Sequence, residues 1–173
     1  MKFVHTLRFF LFLMLTLAIA VGAAPSASRS DFVQASVVAQ GAFKPPVELP
    51  LRLIADFDPP AEKWLAGHRG VDLSATAGSP IKSAGAGVVH FVGTVVDRPV
   101  ISINHGALRT TYEPVKSKLV TGQSVAAGQV IGTIASGGHC SERCLHWGLK
   151  RGEEYLNPLM LLKTDSPVLK PPR

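Results

Sequence analysis

Two short frames in this chain carry side chains that can hold a metal. Gly67-His68-Arg69-Gly70-Val71-Asp72-Leu73 sets an imidazole and a carboxylate four residues apart with a glycine between them, a spacing that a turn can close onto one point. These are the nitrogen and oxygen donors that Zn2+ accepts at about 2.0–2.2 Å. Taken alone, the same pair also reads as a structural His–Asp hydrogen bond. The second frame is Cys144-Leu145-His146-Trp147-Gly148-Leu149. In extended backbone, residues two apart share a face, so Cys144 and His146 point one way while Leu145 and Trp147 pack the other. His146 is then a candidate third ligand. Three protein ligands leave a fourth zinc position for water, which is the arrangement of a hydrolytic site.

The elements that must position these residues read as short strands. Ile81–Ser83, Gly87–Val92, Val100–His105, Arg109–Pro114, Val130–Ala135 and Cys144–Lys150 favour extended backbone, and Thr76–Pro80, Asp97-Arg98-Pro99 and Gly106-Ala107 are turn signals between them. No window supports an amphipathic helix longer than about ten residues. Short strands at this spacing predict a mostly β, compact antiparallel domain, either a sandwich or an open barrel.

Further motifs then occur in a definite order: Gly78-Ser79-Pro80-Ile81 through Gly85-Ala86-Gly87-Val88-Val89, then Asn104-His105-Gly106, Thr110-Thr111-Tyr112, Gly122 and Gly128, and finally Leu145-His146. With Gly67–Asp72 ahead of them, they resemble the M23 (lysostaphin/LytM-type) metallopeptidase domain over roughly residues 60–163. The resemblance implies a small antiparallel β-domain. It also implies one Zn2+ per chain, held by His68, Asp72 and His146, and hydrolysis of stem or cross-bridge peptides of bacterial peptidoglycan.

Two positions depart from that pattern. The family carries a helper histidine two residues after the tyrosine matching Tyr112, where this chain has Pro114. The other helper is the first histidine of a His-x-His motif, where this chain has Cys144. General acid–base help is worth about 10²–10⁴-fold in rate, and Pro114 has neither a donor nor a titratable group. His139, on a glycine-rich loop, and Glu113 are the candidate substitutes. Simple alternation counted from Pro114 turns Glu113 to the opposite face unless a bulge intervenes. Cys144 has three readings: a disulfide with Cys140 at the rim of the site, a fourth zinc ligand, or a free thiol. His105 matches a family position that is not a ligand, so it is assigned packing or hydrogen bonding. Arg69 and Arg109 are candidates for the border of a groove.

Composition bounds the rest. The chain of 173 residues has room for one domain. Lys2 and Arg8 precede an apolar run from Phe9 to Val21 and small residues up to Ala24, the pattern of a secretory signal peptide over 1–23 and too short to span a bilayer. Residues 24–50 read as a Pro/Ala/Ser-rich linker, 51–163 as the β-domain and 164–173 as a flexible tail. Without Lys2 and Arg8 the formal charge falls from +6 to +4, and no basic stripe is interleaved with aromatics, so nucleic acid is not an expected partner. The expected protein is exported to the envelope or medium, has no transmembrane helix in its mature form, and is monomeric. Two other classes compete. One is a catalytically degenerate relative that binds peptidoglycan or regulates another wall hydrolase. The other is a biotinyl- or lipoyl-type carrier, suggested by the glycine-spaced Val/Ile run Val120–Gly132, although no lysine lies in that turn.

Overall fold

The computed structural model describes residues 43–139, 143–162 and 167–170. The residues read as a signal peptide, and Cys140, lie outside this range. Among the described residues there are twelve strands: β1 Leu51–Ala55, β2 Gly70–Ser74, β3 Pro80–Lys82, β4 Gly87–Val95, β5 Arg98–His105, β6 Leu108–Glu113, β7 Val115–Lys116, β8 Ser124–Val125, β9 Val130–Ile134, β10 Cys144–Arg151, β11 Glu154–Leu156 and β12 Val168–Leu169. One 3-10 turn, Pro158–Leu161, is capped by the Asn157 side chain accepting from the Leu159 amide.

The main sheet runs in the order β12-β1-β2-β10-β6-β5-β4-β8, with β11 on β10; a second sheet runs β3-β9-β7. All pairings are antiparallel except β1 with β12. The mostly antiparallel β-domain expected from the strand spacing is what forms, as two sheets and not as a closed barrel.

Alternation explains which faces meet. Leu51 and Leu53 of β1, Ile101 and Ile103 of β5, and Leu145, Trp147 and Leu149 of β10 are buried. Except for Leu149, these join Val71, Leu73, Tyr112, Ile81, Ile131 and Ile134 in one core cluster. Full burial of each large aliphatic side chain contributes about 1.5–3 kcal/mol. The opposite face of β2, β6 and β10 is thereby left for polar residues.

Both flanking segments behave differently from the sequence expectation. The described part of the expected linker, residues 43–50, is bound to the domain. Lys44 N donates to Ala84 O at 2.7 Å, Lys82 N donates to Pro46 O at 2.9 Å, and Val47 is buried. Part of the expected flexible tail is strand β12, whose neighbour Lys170 reaches Asp56 Oδ2 at 3.0 Å. In both cases non-local backbone pairing overrides a composition rich in proline.

Candidate metal centre

Strand register brings the site together. Asp72 on β2 lies opposite His146 on β10, and His146 lies opposite Glu113 on β6. Directly paired residues present their side chains on the same face, so these three form a row across the sheet. His68 enters from the side. It forms an isolated bridge with Asp58, each amide donating to the other's carbonyl, at 2.6 Å from His68 and 3.0 Å from Asp58. Arg69 pins the loop before it by donating from Nη2 to Lys63 O and Leu65 O at 2.8 and 3.0 Å.

The donor atoms converge. His68 Nε2 lies 3.1 Å from Asp72 Oδ1 and 3.0 Å from His146 Nδ1, and His146 Nδ1 lies 2.9 Å from Asp72 Oδ1. A tetrahedral zinc with ligands at about 2.0–2.1 Å requires donor separations of about 3.3 Å, so this triangle needs only a slight expansion. His139 Nε2 adds a fourth group, 2.9 Å from the other carboxylate oxygen, Oδ2. The four ligand atoms lie within 4.8 Å of one another.

The His68 tautomer argues for a cation there. Its Nδ1 is 2.6 Å from Asp56 O. A carbonyl can only accept, so Nδ1 donates to it, and in the neutral form of the ring Nε2 turns a lone pair toward the Asp72 carboxylate. Two acceptors then face each other at 3.1 Å, an arrangement that a bound cation satisfies. A backbone carbonyl fixing the far nitrogen is also how metal-ligating histidines are oriented. Asp72 itself is buried. Burial raises its pKa, but hydrogen bonds from His146 and His139 and the charge of His68 outweigh it, and the carboxyl is held below its ordinary value. The residues present therefore fit a single zinc ion, with His68, Asp72 and His146 as the ligand set.

The structure brings His68, Asp72 and His146 together with His139. Glu113 corrects the alternation argument. Tyr112 faces the core opposite Trp147, so Glu113 shares the ligand face, and Pro114 lies beyond the end of β6. The carboxylate of Glu113 is, however, paired with Arg98, Nε to Oε2 at 3.0 Å. Cys144 is buried on β10 opposite Ser74 and stands outside the ligand cluster. His105 is buried with Nδ1 donating to Ala86 O and Nε2 2.8 Å from Thr110 Oγ1.

Two contributions were not read from the sequence. One is the Asp56 carbonyl, which has no side-chain signature. The other is the need for glycine at position 70: a Cβ there would lie 2.5 Å from Trp147 O and 2.7 Å from His146 Nε2. The Gly between His68 and Asp72 was the available signal for the second.

The chain is similar to several known proteins. It is 43% identical over 133 residues to an uncharacterized protein of Mycobacterium tuberculosis, covering 73% of this chain and 53% of that one. It is 31% identical over 136 residues to the peptidoglycan DD-endopeptidase ShyA of Vibrio cholerae, covering 71% and 30%. It thus spans about half, or less, of these curated relatives. Among solved structures, a zinc-containing peptidase from Vibrio cholerae superposes with a TM-score of 0.60 at 26% identity, covering 73% of this chain and 41% of that one. The profile of Peptidase family M23 matches residues 66–158, the stretch that holds all four members of the cluster. The chain belongs to peptidase family M23.

Proposed function

We propose that this chain is an exported zinc metallopeptidase that hydrolyses peptide bonds in the stem or cross-bridge peptides of bacterial peptidoglycan. The observation that carries the reading is the triangle of His68 Nε2, Asp72 Oδ1 and His146 Nδ1, whose edges of 2.9–3.1 Å suit a tetrahedral ion. A zinc ion held there supplies Lewis acidity to a peptide carbonyl and to water. Support for the substrate comes from the endopeptidase relatives, which are named for peptidoglycan. Support for an envelope location comes from a similar lipoprotein of Escherichia coli and from the apolar run Phe9–Val21.

The chain's own residues divide the work. Asp56 O holds the His68 ring so that Nε2 faces inward. Asp72 offers Oδ1 to the ligand triangle and keeps Oδ2 for His139. His139, half exposed to solvent, has its Nε2 beside the triangle, where it can hold a water or peptide oxygen and move a proton. It fills the role for which Pro114 and Cys144 have no group. A disulfide between Cys144 and Cys140 and a monomeric mature protein are part of the same proposal.

Incubating the purified full chain, loaded with zinc, with isolated peptidoglycan tests this reading. Release of new amino and carboxyl termini, abolished by chelation, is the expected result. Stoichiometric zinc with sedimentation on the wall but no cleavage would instead establish the degenerate, wall-binding alternative, which the commitment of Glu113 to Arg98 favours.

A further inference from the structure

The loop that delivers His139 is seated on residues outside the ligand set. Ala135 N donates to Pro114 O at 3.0 Å, tying the loop's start to the end of β6. Gly137 and Gly138 follow with φ of 109° and 69°, and their backbone lies directly on the tip of the β4–β5 hairpin. A Cβ at 137 would stand 2.4 Å from Asp97 O and 3.2 Å from Arg98 Cα, and one at 138 would stand 3.3 Å from Arg98 Cδ. Arg98 therefore forms the surface against which the loop rests. Its guanidinium is ion-paired in turn with Glu113, Oε2 lying 3.0 Å from Nε without a hydrogen bond from that N–H, and the Asp97 carboxylate lies 3.7 Å from Nη1. Glu113 is fixed in place by its register opposite His146. A continuous path thus runs from the ligand strand through Glu113, Arg98 and Gly138 to His139, and closes on Asp72 at 2.9 Å.

We propose that Arg98, ion-paired with Glu113, is a positioning residue that fixes where the His139 imidazole stands beside the metal centre. This rests on the reading above, in which His139 handles the proton. Glu113 shares the ligand face, but it acts as the ion-pair partner of Arg98 and not as a base. The arrangement also gives Pro114 a use. The position that lacks a helper side chain supplies the carbonyl that starts the loop carrying a different histidine.

The test uses the full, zinc-loaded chain with Arg98→Met, which keeps an aliphatic stem but removes the guanidinium, and with Glu113→Gln. Arg98→Lys serves as the conservative rescue, and thermal midpoints verify that each variant folds. Turnover is read on a purified cross-linked muropeptide, zinc affinity by chelator competition, and ring position by imidazole 15N NMR. Displacing a catalytic group by an ångström can cost about 100-fold, and a smaller shift costs less. Arg98→Met and Glu113→Gln are therefore expected to lower kcat about 10-fold with KM little changed, and zinc affinity should hold. The His139 resonances should move while those of His68 and His146 stay. Lys at 98 should recover most of the rate. In a His139→Ala background, Arg98→Met should cost nothing further, because residues acting through one group are non-additive. Additive losses, or folded variants with an unmoved His139 ring, would overturn the proposal. If the wild type itself cuts nothing, the reading of function fails, and the NMR comparison alone decides the role of Arg98.

Discussion

With its Nδ1 proton spent on the Asp56 carbonyl, the neutral form of the His68 imidazole has a lone pair to offer beside the Asp72 carboxylate. That local chemistry suits the His68–Asp72–His146 triangle to a bound cation. Replacing Asp72 with alanine removes a donor outright, so zinc affinity should fall by more than the roughly 10–100-fold that loss of an outer partner costs; chelator competition measures it. His139→Ala belongs to a different class. Because His139 meets the second oxygen of Asp72 and not the triangle, the variant should keep its zinc while turnover drops by about 10²–10⁴-fold. A stopped activity accompanied by lost zinc would reassign His139 as a fourth ligand. That His68, Asp72 and His146 meet was legible in the sequence through the ordered motifs of the family resemblance, since either short frame alone also fits a structural hydrogen bond. His139 was legible only as a candidate, since nothing local ties a histidine on a glycine loop to a carboxylate 67 residues earlier.

Strands deliver these groups, and the strands differ in how plainly they announce themselves. β10 alternates cleanly, with Leu145 and Trp147 inward and His146 outward, and its face assignment follows from sequence. β2 does not: Gly70, Val71, Asp72 and Leu73 are all buried, so the period-2 signal vanishes and the segment reads as a turn. The offset of Glu113 was missed for a related reason. Register between β6 and β10, and not distance from Pro114, decides its face. β12 and the stretch 43–50 are held by pairing with distant backbone, which composition cannot reveal. Gly70 shows how tightly the elements abut. Gly70→Ala would press a methyl into Trp147 O and the His146 ring, and overpacking of this kind typically costs about 1–3 kcal/mol. Thermal or urea unfolding should show that loss, and zinc affinity should fall with it because the displaced ring belongs to the proposed ligand set.

At the scale of the whole molecule, one core between two sheets supports the site, and a second buried histidine belongs to that core. Burial lowers the His105 pKa below its ordinary value of 6.5, offset only in part by its bond to Ala86 O. The unfolded chain therefore binds a proton near pH 6.5 that the folded chain refuses. The associated stability is complete above that pH and is lost as pH falls through the lowered folded value. His105→Asn should flatten the decline in thermal midpoint below about pH 6.5, read as the difference from wild type at each pH so that the other histidines cancel. The same fold leaves one face free for the row of Asp72, His146 and Glu113, and everything proposed about activity depends on what binds there. Zinc K-edge absorption on the purified full chain tests this most directly. The account predicts about one zinc per chain with only nitrogen and oxygen neighbours at about 2.0–2.1 Å. A chain that retains no stoichiometric zinc, or a sulfur neighbour at about 2.3 Å that brings Cys144 into the coordination, would contradict it.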